Sequence, residues 1–418
     1  MKWDIKMSVK ENYKNSKLGL IPVDWEVVRL GDVAHIIGGY AFKSKLMSSE
    51  KSNFQILKMS NVYKGNLSLH RSPSYISDIT PKELEYLLQE NDIVLTLTGT
   101  IGKRDYGYAT LIKGTQQLLL NQRLCKVKPE IGIENLFLYY LLKSENFLFN
   151  FYLSGKGGTG NQSNVGINDL KKIFSPLPPL KEQQEIAKIL STWDEAIETT
   201  QSLIEKLQFR KKGLMQELLS GKKRLAGFSE EWEENNLGDY FTERKETGLE
   251  DLELLSVGKE GVYPQDNSNK KDTSNSNKSK YKRICKGDIG YNTMRMWQGR
   301  SALSNLEGIV SPAYTILNPK ENCDSVFFSH LFKLDDMIHK FYRNSQGMVS
   351  DTWMCKFKDL KIIKFNAPSS LSEQKAISKI IDLSDIEISE KKAYLLQLKN
   401  QKKGLMQQLL TGKKRVKL

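Results

Sequence analysis

Two stretches far apart in this chain are copies of one another. Residues 182–224 read EQQEIAKILSTWDEAIETTQSLIEKLQFRKKGLMQELLSGKKR, and residues 373–415 read EQKAISKIIDLSDIEISEKKAYLLQLKNQKKGLMQQLLTGKKR. They align without a gap, and about twenty of the forty-three pairs are identical. A shorter repeat lies upstream of each: WEVVRLGD at 25–32 and WEENNLGD at 232–239. The chain is therefore an opening motif, a variable stretch and a repeated segment, and then the same again. The variable stretches run over about 30–180 and 237–371.

The repeated segments have the spacing of helices. Ile186, Leu190, Trp193, Ile197, Thr200, Ile204, Leu207, Lys211, Leu214 and Leu218 step alternately by four and three, an a/d heptad seam. Ile377, Ile381, Ser384, Ile388, Lys391, Leu395, Leu398, Lys402, Leu405 and Leu409 repeat those steps. Pro178 and Pro179 precede the first helix, where proline is tolerated. Gly221 and Gly412 follow the last apolar pair, as helix-ending glycines do. A long helix with one exposed apolar stripe would aggregate, whereas two copies can pair. Two domains in the same order, each followed by a helix, predict an antiparallel pair. The expected fold class is α+β: two mixed α/β domains separated by two long helices in an antiparallel coiled coil, with pseudo-two-fold symmetry.

Of the 418 residues, 63 are Lys or Arg and 49 Asp or Glu, giving a formal charge of +14. A surface that basic suits a polyanion, nucleic acid first. Cys125, Cys285, Cys323 and Cys355 form no C-x-x-C pair, which argues against a disulfide framework and a zinc site. The N-terminal segment has no apolar core of a signal peptide, and no run of eighteen apolar residues occurs. A cytoplasmic protein is expected.

The variable stretches read as mixed α/β. NFQILKMSNV, NDIVLTLTG and QRLCKVKP are strand-like in the first, followed by an apolar helix, ENLFLYYLLKSENFLFNFYL. GDIGYNTM and SPAYTILNP are the strands of the second, with VFFSHLFKLDDMIHKFY the matching helix. Three strings imitate catalytic motifs. GKGGTGN at 155–161 has P-loop glycine spacing, but Asn161 and Gln162 stand where lysine and a hydroxyl are required. SPAY at 311–314 resembles an adenine-methyltransferase motif, yet no glycine-rich cofactor loop accompanies it. ERK at 243–245 lacks the upstream carboxylate partner of a nuclease site. No catalytic, cofactor or metal residue is assigned.

A DNA-contact profile remains. Thr98, Thr100, Lys103 and Arg104 fall in a glycine-rich turn suited to phosphates. Asn121, Gln122, Arg123, Asn161 and Gln162 offer amides for adenine and a guanidinium for guanine. In the second stretch Arg295, Trp297, Gln298 and Arg300 combine donors with an aromatic ring. Arg343 and Gln346 resemble the loop around Lys156 and Gln162, and Lys270 and Lys271 lie in a polar, lysine-rich segment, 265–283. A coiled-coil scaffold bearing two lectin-like or peptide-binding domains is the rival class. The basic charge and the amide-rich and arginine-rich loops speak against it.

The organisation resembles the specificity subunits of type I restriction-modification systems over essentially the whole chain. W-E-x-x-x-L-G-D opens each half, P-L-P-P-L-K-E-Q-x-x-I-A-x-I-L stands at 176–190, and K-K-G-L-M-Q-x-L-L-[ST]-G-K-x-R closes both. The second helix departs from the pattern in its entry, A-P-S-S-L-S-E-Q, and in Ser384 at the place of Trp193. The resemblance implies target-recognition domains at 1–180 and 225–371, a central helix at 181–224 and a C-terminal helix at 372–418. Each domain would read one half of a split, asymmetric double-stranded DNA site. The helices would set the spacer and dock two modification subunits. Those would carry S-adenosylmethionine and methylate adenine, while two restriction subunits would carry ATP and Mg. This chain would hold no cofactor, would not be an enzyme by itself and would serve phage defence.

Overall fold

Short strands buried on both faces build the sheet at the centre of each variable stretch. The computed structural model describes residues 12–114, 117–157, 161–258, 261–267, 276–347 and 353–417. It divides into two compact units. One comprises residues up to Thr199 together with Leu395 onward, and the other is Thr200–Tyr394. Each long helix contributes one part to each unit. The division thus differs from the four segments drawn from the sequence.

In the first unit a four-stranded antiparallel sheet has the order Ala109–Leu111, Ile93–Thr96, Leu124–Pro129, Ala34–Gly38. Successive side chains of a strand point to opposite faces. Ile93, Leu95, Cys125 and Val127 accordingly join the helical side of the core, while Val94 and Leu124 face a smaller sheet. The apolar run expected as one helix is two, Asn135–Leu142 and Glu145–Leu153. Ser144 breaks it: its backbone is extended (φ −69°, ψ 147°), and its hydroxyl accepts the Phe147 amide, an N-cap.

The second unit repeats the plan with the sheet order Phe241–Glu243, Tyr314–Pro319, Ile289–Asn292, Ser301–Leu303. Its apolar helix is likewise two, Ser325–Leu331 and Asp335–Arg343, separated by extended backbone at Leu334.

The opening motif explains itself residue by residue. Leu30 and Leu237 are fully buried. Asp32 and Asp239 accept the amides of Arg29 and Asn236, capping the turn. A Cβ on Gly31 would lie 2.8 Å from Lys171, and one on Gly238 would lie 3.0 Å from Lys361. In each unit the strand after the tryptophan pairs with the strand that ends the variable stretch: Glu26–Arg29 with Phe174–Leu177, and Glu233–Asn236 with Lys364–Ala367.

The long helices are Leu180–Leu218 and Leu371–Leu409, 39 residues each and about 58 Å long. Every seam position named above is buried or half-buried. Within the first unit, Ile186 and Leu190 share a core with Leu409 and Leu410, and Lys402 meets Asp194 at 2.5 Å. Lys402 lies under the Tyr140 ring, and burial lowers its pKa against the pull of Asp194. Within the second unit, Leu218 packs with Ile377 and Ile381, Arg210 pairs with Glu387, and Lys211 meets Asp385 at 2.5 Å. In each unit rising numbers on one helix face falling numbers on the other, so the segments run antiparallel. Gly221 and Gly412 end the helices with φ +72° and +69°. Among the described residues no helix is long and apolar enough to cross a membrane.

A buried carboxylate anchors each unit. Glu182 accepts from Trp25 Nε1 (2.9 Å) and from Arg415 Nε and Nη2 (2.8 and 2.9 Å). Glu373 accepts from Trp232 Nε1 (3.3 Å) and from Arg224 Nε and Nη2 (2.8 and 2.9 Å). The glutamines beside them tie each long helix to its domain. Gln183 accepts the Glu134 amide and donates to Pro178 O, and Gln374 accepts the Asp324 amide and donates to Pro368 O.

Candidate nucleic-acid interface

In the first unit a small sheet gathers the loops singled out in the sequence. Thr98–Thr100 pairs with Gln162–Asn164, which pairs with Lys156–Gly157. The Asn121–Arg123 turn adjoins them, because the Leu97 amide donates to Arg123 O. The residues divide by exposure. Thr98 is buried and its hydroxyl donates to Asn164 Oδ1 (2.7 Å). The amide and hydroxyl of Thr100 both go to Asp105, at 2.6 and 2.8 Å. Both threonine hydroxyls, expected to face phosphates, are engaged within the loop. The Thr100 amide in turn holds the Asp105 carboxyl below the usual carboxylate range. Asn121 is half-buried, with Oδ1 enclosed and unpartnered, and also supports the turn.

Lys103, Arg104, Gln122, Arg123, Lys156, Asn161 and Gln162 are exposed. Arg104 and Arg123 have φ +49° and +70°, a conformation uncommon for side-chain-bearing residues. Such strain persists where surrounding structure imposes it, often at functional loops. The Arg104 guanidinium lies 5.3 Å over the Tyr152 ring. Lys156 is engaged with Asp169 at 2.9 Å.

In the second unit the turn after strand Ile289–Asn292 carries the donors. Gly299, at φ +70°, lets the turn close on the helix Asp335–Arg343, since a Cβ there would sit 2.7 Å from Ile338. Gln298, Arg300, Arg343 and Gln346 are exposed, and Arg295 and Trp297 are half-buried. Gln346 exchanges backbone hydrogen bonds with Met354, and the Cys355 amide donates to Thr293 O. That brings Trp353 against Trp297, with ring centroids 5.6 Å apart. Tyr342 packs on Trp353 in turn. Sequence reasoning missed Trp353 and Tyr342. Lys270 and Lys271 lie outside the described residues.

The rejected motifs acquire other roles. Arg244 of ERK forks Asp288 (2.7 and 3.1 Å), which is 1% exposed. SPAY is a turn, with the Tyr314 amide donating to Ser311 O, that opens a core strand. His330, Asp382 and Asp385 come together on the second unit, but Lys211 already occupies Asp385 and no ion-binding argument follows. Burial pushes the thiols of Cys125, Cys323 and Cys355 upward, so they are inert packing groups.

The family model described as the type I restriction modification DNA specificity domain matches residues 22–208 and again 229–400. The type I restriction enzyme MjaVIII specificity subunit of Methanocaldococcus jannaschii is 29% identical over 450 residues, spanning 98% of this chain and 97% of its own. The EcoAI specificity subunit of Escherichia coli is 31% identical over 188 residues, 44% of this chain and 30% of that one. The crystal structure of a type I system S subunit from M. genitalium shares the fold, with a TM-score of 0.55 at 18% identity over 92% of this chain and 96% of that one. Two matches to one domain model, each covering one opening motif, one variable stretch and most of one long helix, account for the duplication read at the outset. The chain belongs to the type I restriction-modification specificity subunits and carries two target-recognition domains.

Proposed function

We propose that each recognition domain reads one half of a bipartite, asymmetric site on double-stranded DNA. The observation that carries this reading is the contrast between frame and loops. The two units share the Trp–Glu–Arg anchor and the sheet plan, yet the sequences of their exposed loops largely differ. Lys103, Arg104 and Lys156 engage phosphates, while Arg123, Gln122 and Gln162 face base edges. Arg295, Gln298, Arg300 and Arg343 do the same work in the second domain. The long helices set the unread spacer and dock two modification subunits, which hold S-adenosylmethionine and methylate adenine. Two restriction subunits supply ATP- and Mg-dependent cleavage. The chain itself performs no chemistry and gives the complex its address.

The test is exchange of residues 30–180 for the matching stretch of a relative, in a complex with the chain's own modification subunits. Methylome sequencing should show one half-site replaced and the other kept. Simultaneous change of both halves would refute independent reading. Methyl transfer by the isolated chain would refute the non-catalytic role.

A further inference from the structure

We propose that the second recognition domain seats the 5-methyl group of a thymine on an apolar ledge formed by Trp297, Tyr342 and Trp353. The inference rests on the half-site reading above and names what that domain recognises.

Trp353 is the centre of the ledge. Its ring meets Trp297 at 5.6 Å and 77°, and Tyr342 at 5.0 Å and 76°. His339 stacks on Tyr342 at 6.2 Å. Edge-to-face contacts of this kind fix the rings relative to one another. Their chain neighbours already fill the core: Met296 and Phe341 are fully buried. The ledge therefore completes no core. Tyr342 stays 45% exposed, and the adjoining Met294 40% exposed. Arg295 and Gln298 flank Trp297 in the turn that also carries Arg300, and Arg343 follows Tyr342 in the chain. An apolar surface whose chain neighbours carry guanidinium groups fits a polyanion that also presents an apolar group.

Duplex DNA offers one such group in the major groove, the thymine methyl, between acceptors that arginine and amide side chains can reach. The rings brace one another as a surface and do not project singly as a wedge between base steps would. Among the described residues the first domain shows no equivalent. Its helix Glu145–Leu153 carries the same Phe–Tyr pair, but the Tyr152 hydroxyl donates to Tyr106 O (2.9 Å) and Arg104 covers the ring.

The test uses the full chain assembled with its modification subunits. Duplexes carry deoxyuridine in place of thymine, one position at a time, across the second half-site. At one position the wild type should bind about fourfold more weakly, the effect of removing one methyl from apolar contact. Trp353→Ala and Tyr342→Ala should bind the thymine and deoxyuridine duplexes alike. Both variants should keep the wild-type response to the same replacements in the first half-site, which checks that they are folded. Equal binding of both bases at every position by the wild type overturns the proposal. So does a second half-site without an A·T pair, or variants that keep the thymine preference while weakening both duplexes. Failure of the half-site reading would appear separately, as a second half-site that does not change when residues 237–371 are exchanged.

Discussion

Arg415 holds Glu182 with two nitrogens of one guanidinium, at 2.8 and 2.9 Å, across 233 positions of sequence. The Glu182 side chain is wholly buried. Among the described residues, removing the arginine leaves that carboxylate with the Trp25 indole as its remaining side-chain donor, and an under-paired buried charge is costly. Arg415→Ala should destabilise the first unit by about 3 kcal/mol. Arg224→Ala should act in the same way on the second unit. Lysine at either position should rescue poorly, because it cannot reproduce the planar fork. Denaturant unfolding followed by hydrogen exchange in each unit checks which one responds.

Acid should loosen the first unit. The Arg415 guanidinium beside Asp24 holds that carboxyl below its ordinary range, and Lys403 does so for Glu145. A carboxylate depressed on folding stabilises the protein above its unfolded value, about 4. That contribution disappears as pH falls through the lower folded value. Stability of the first unit should therefore decline below about pH 4. Asp24→Asn should flatten the decline, and should do nothing further once Arg415 is alanine. Thermal melts from pH 3 to 7 measure both.

DNA binding should separate phosphate contacts from base contacts. Lys103→Ala and Arg104→Ala should weaken all sequences alike and lower the salt slope by about one each. Lys156→Ala should have a smaller effect, because Asp169 already neutralises that lysine at 2.9 Å. Arg300→Ala should relax preference at one base pair, by about 1–3 kcal/mol. Titrations at several salt concentrations, with every single-base variant of the site, distinguish these outcomes. Uniform loss for Arg300→Ala would remove its base-reading role.

Four residues inserted between Thr200 and Leu203 lengthen the central helix by about 6 Å and turn it by one full turn plus about 40°. Base pairs are about 3.4 Å apart along the duplex. The unread spacer should widen by one or two base pairs with both half-sites unchanged, as read by methylome sequencing. An active variant with the original spacer would mean that the coiled coil absorbs the insertion locally.

What the sequence revealed, and what it hid, follows from the range of the interactions involved. The heptad seam is local and periodic, so its buried positions could be named before any coordinates. Thr100 and Gln162 could be named too, but not their meeting, since the pairing of Thr98–Thr100 with Gln162–Asn164 has no periodic signature. Nothing in the segment around Thr98 announces that its hydroxyl meets Asn164. Trp353 and Tyr342 went unremarked because each is a lone aromatic until the fold sets one against the other. The Glu182–Arg415 and Glu373–Arg224 anchors did leave a trace: the glutamate that opens the repeat and the arginine that closes it are kept in both copies.

The first unit is discontinuous, with all of Thr200–Tyr394 interposed before Leu395. On a ribosome adding about 5–20 residues per second, the segment carrying Leu409 and Arg415 emerges tens of seconds after the domain it completes. The second unit, being continuous, can close first. During that interval Ile186 and Leu190 wait without Leu409 and Leu410, and the Glu182 carboxylate without Arg415, leaving an incomplete core exposed. Translation speed through the second unit is therefore a folding parameter of the first.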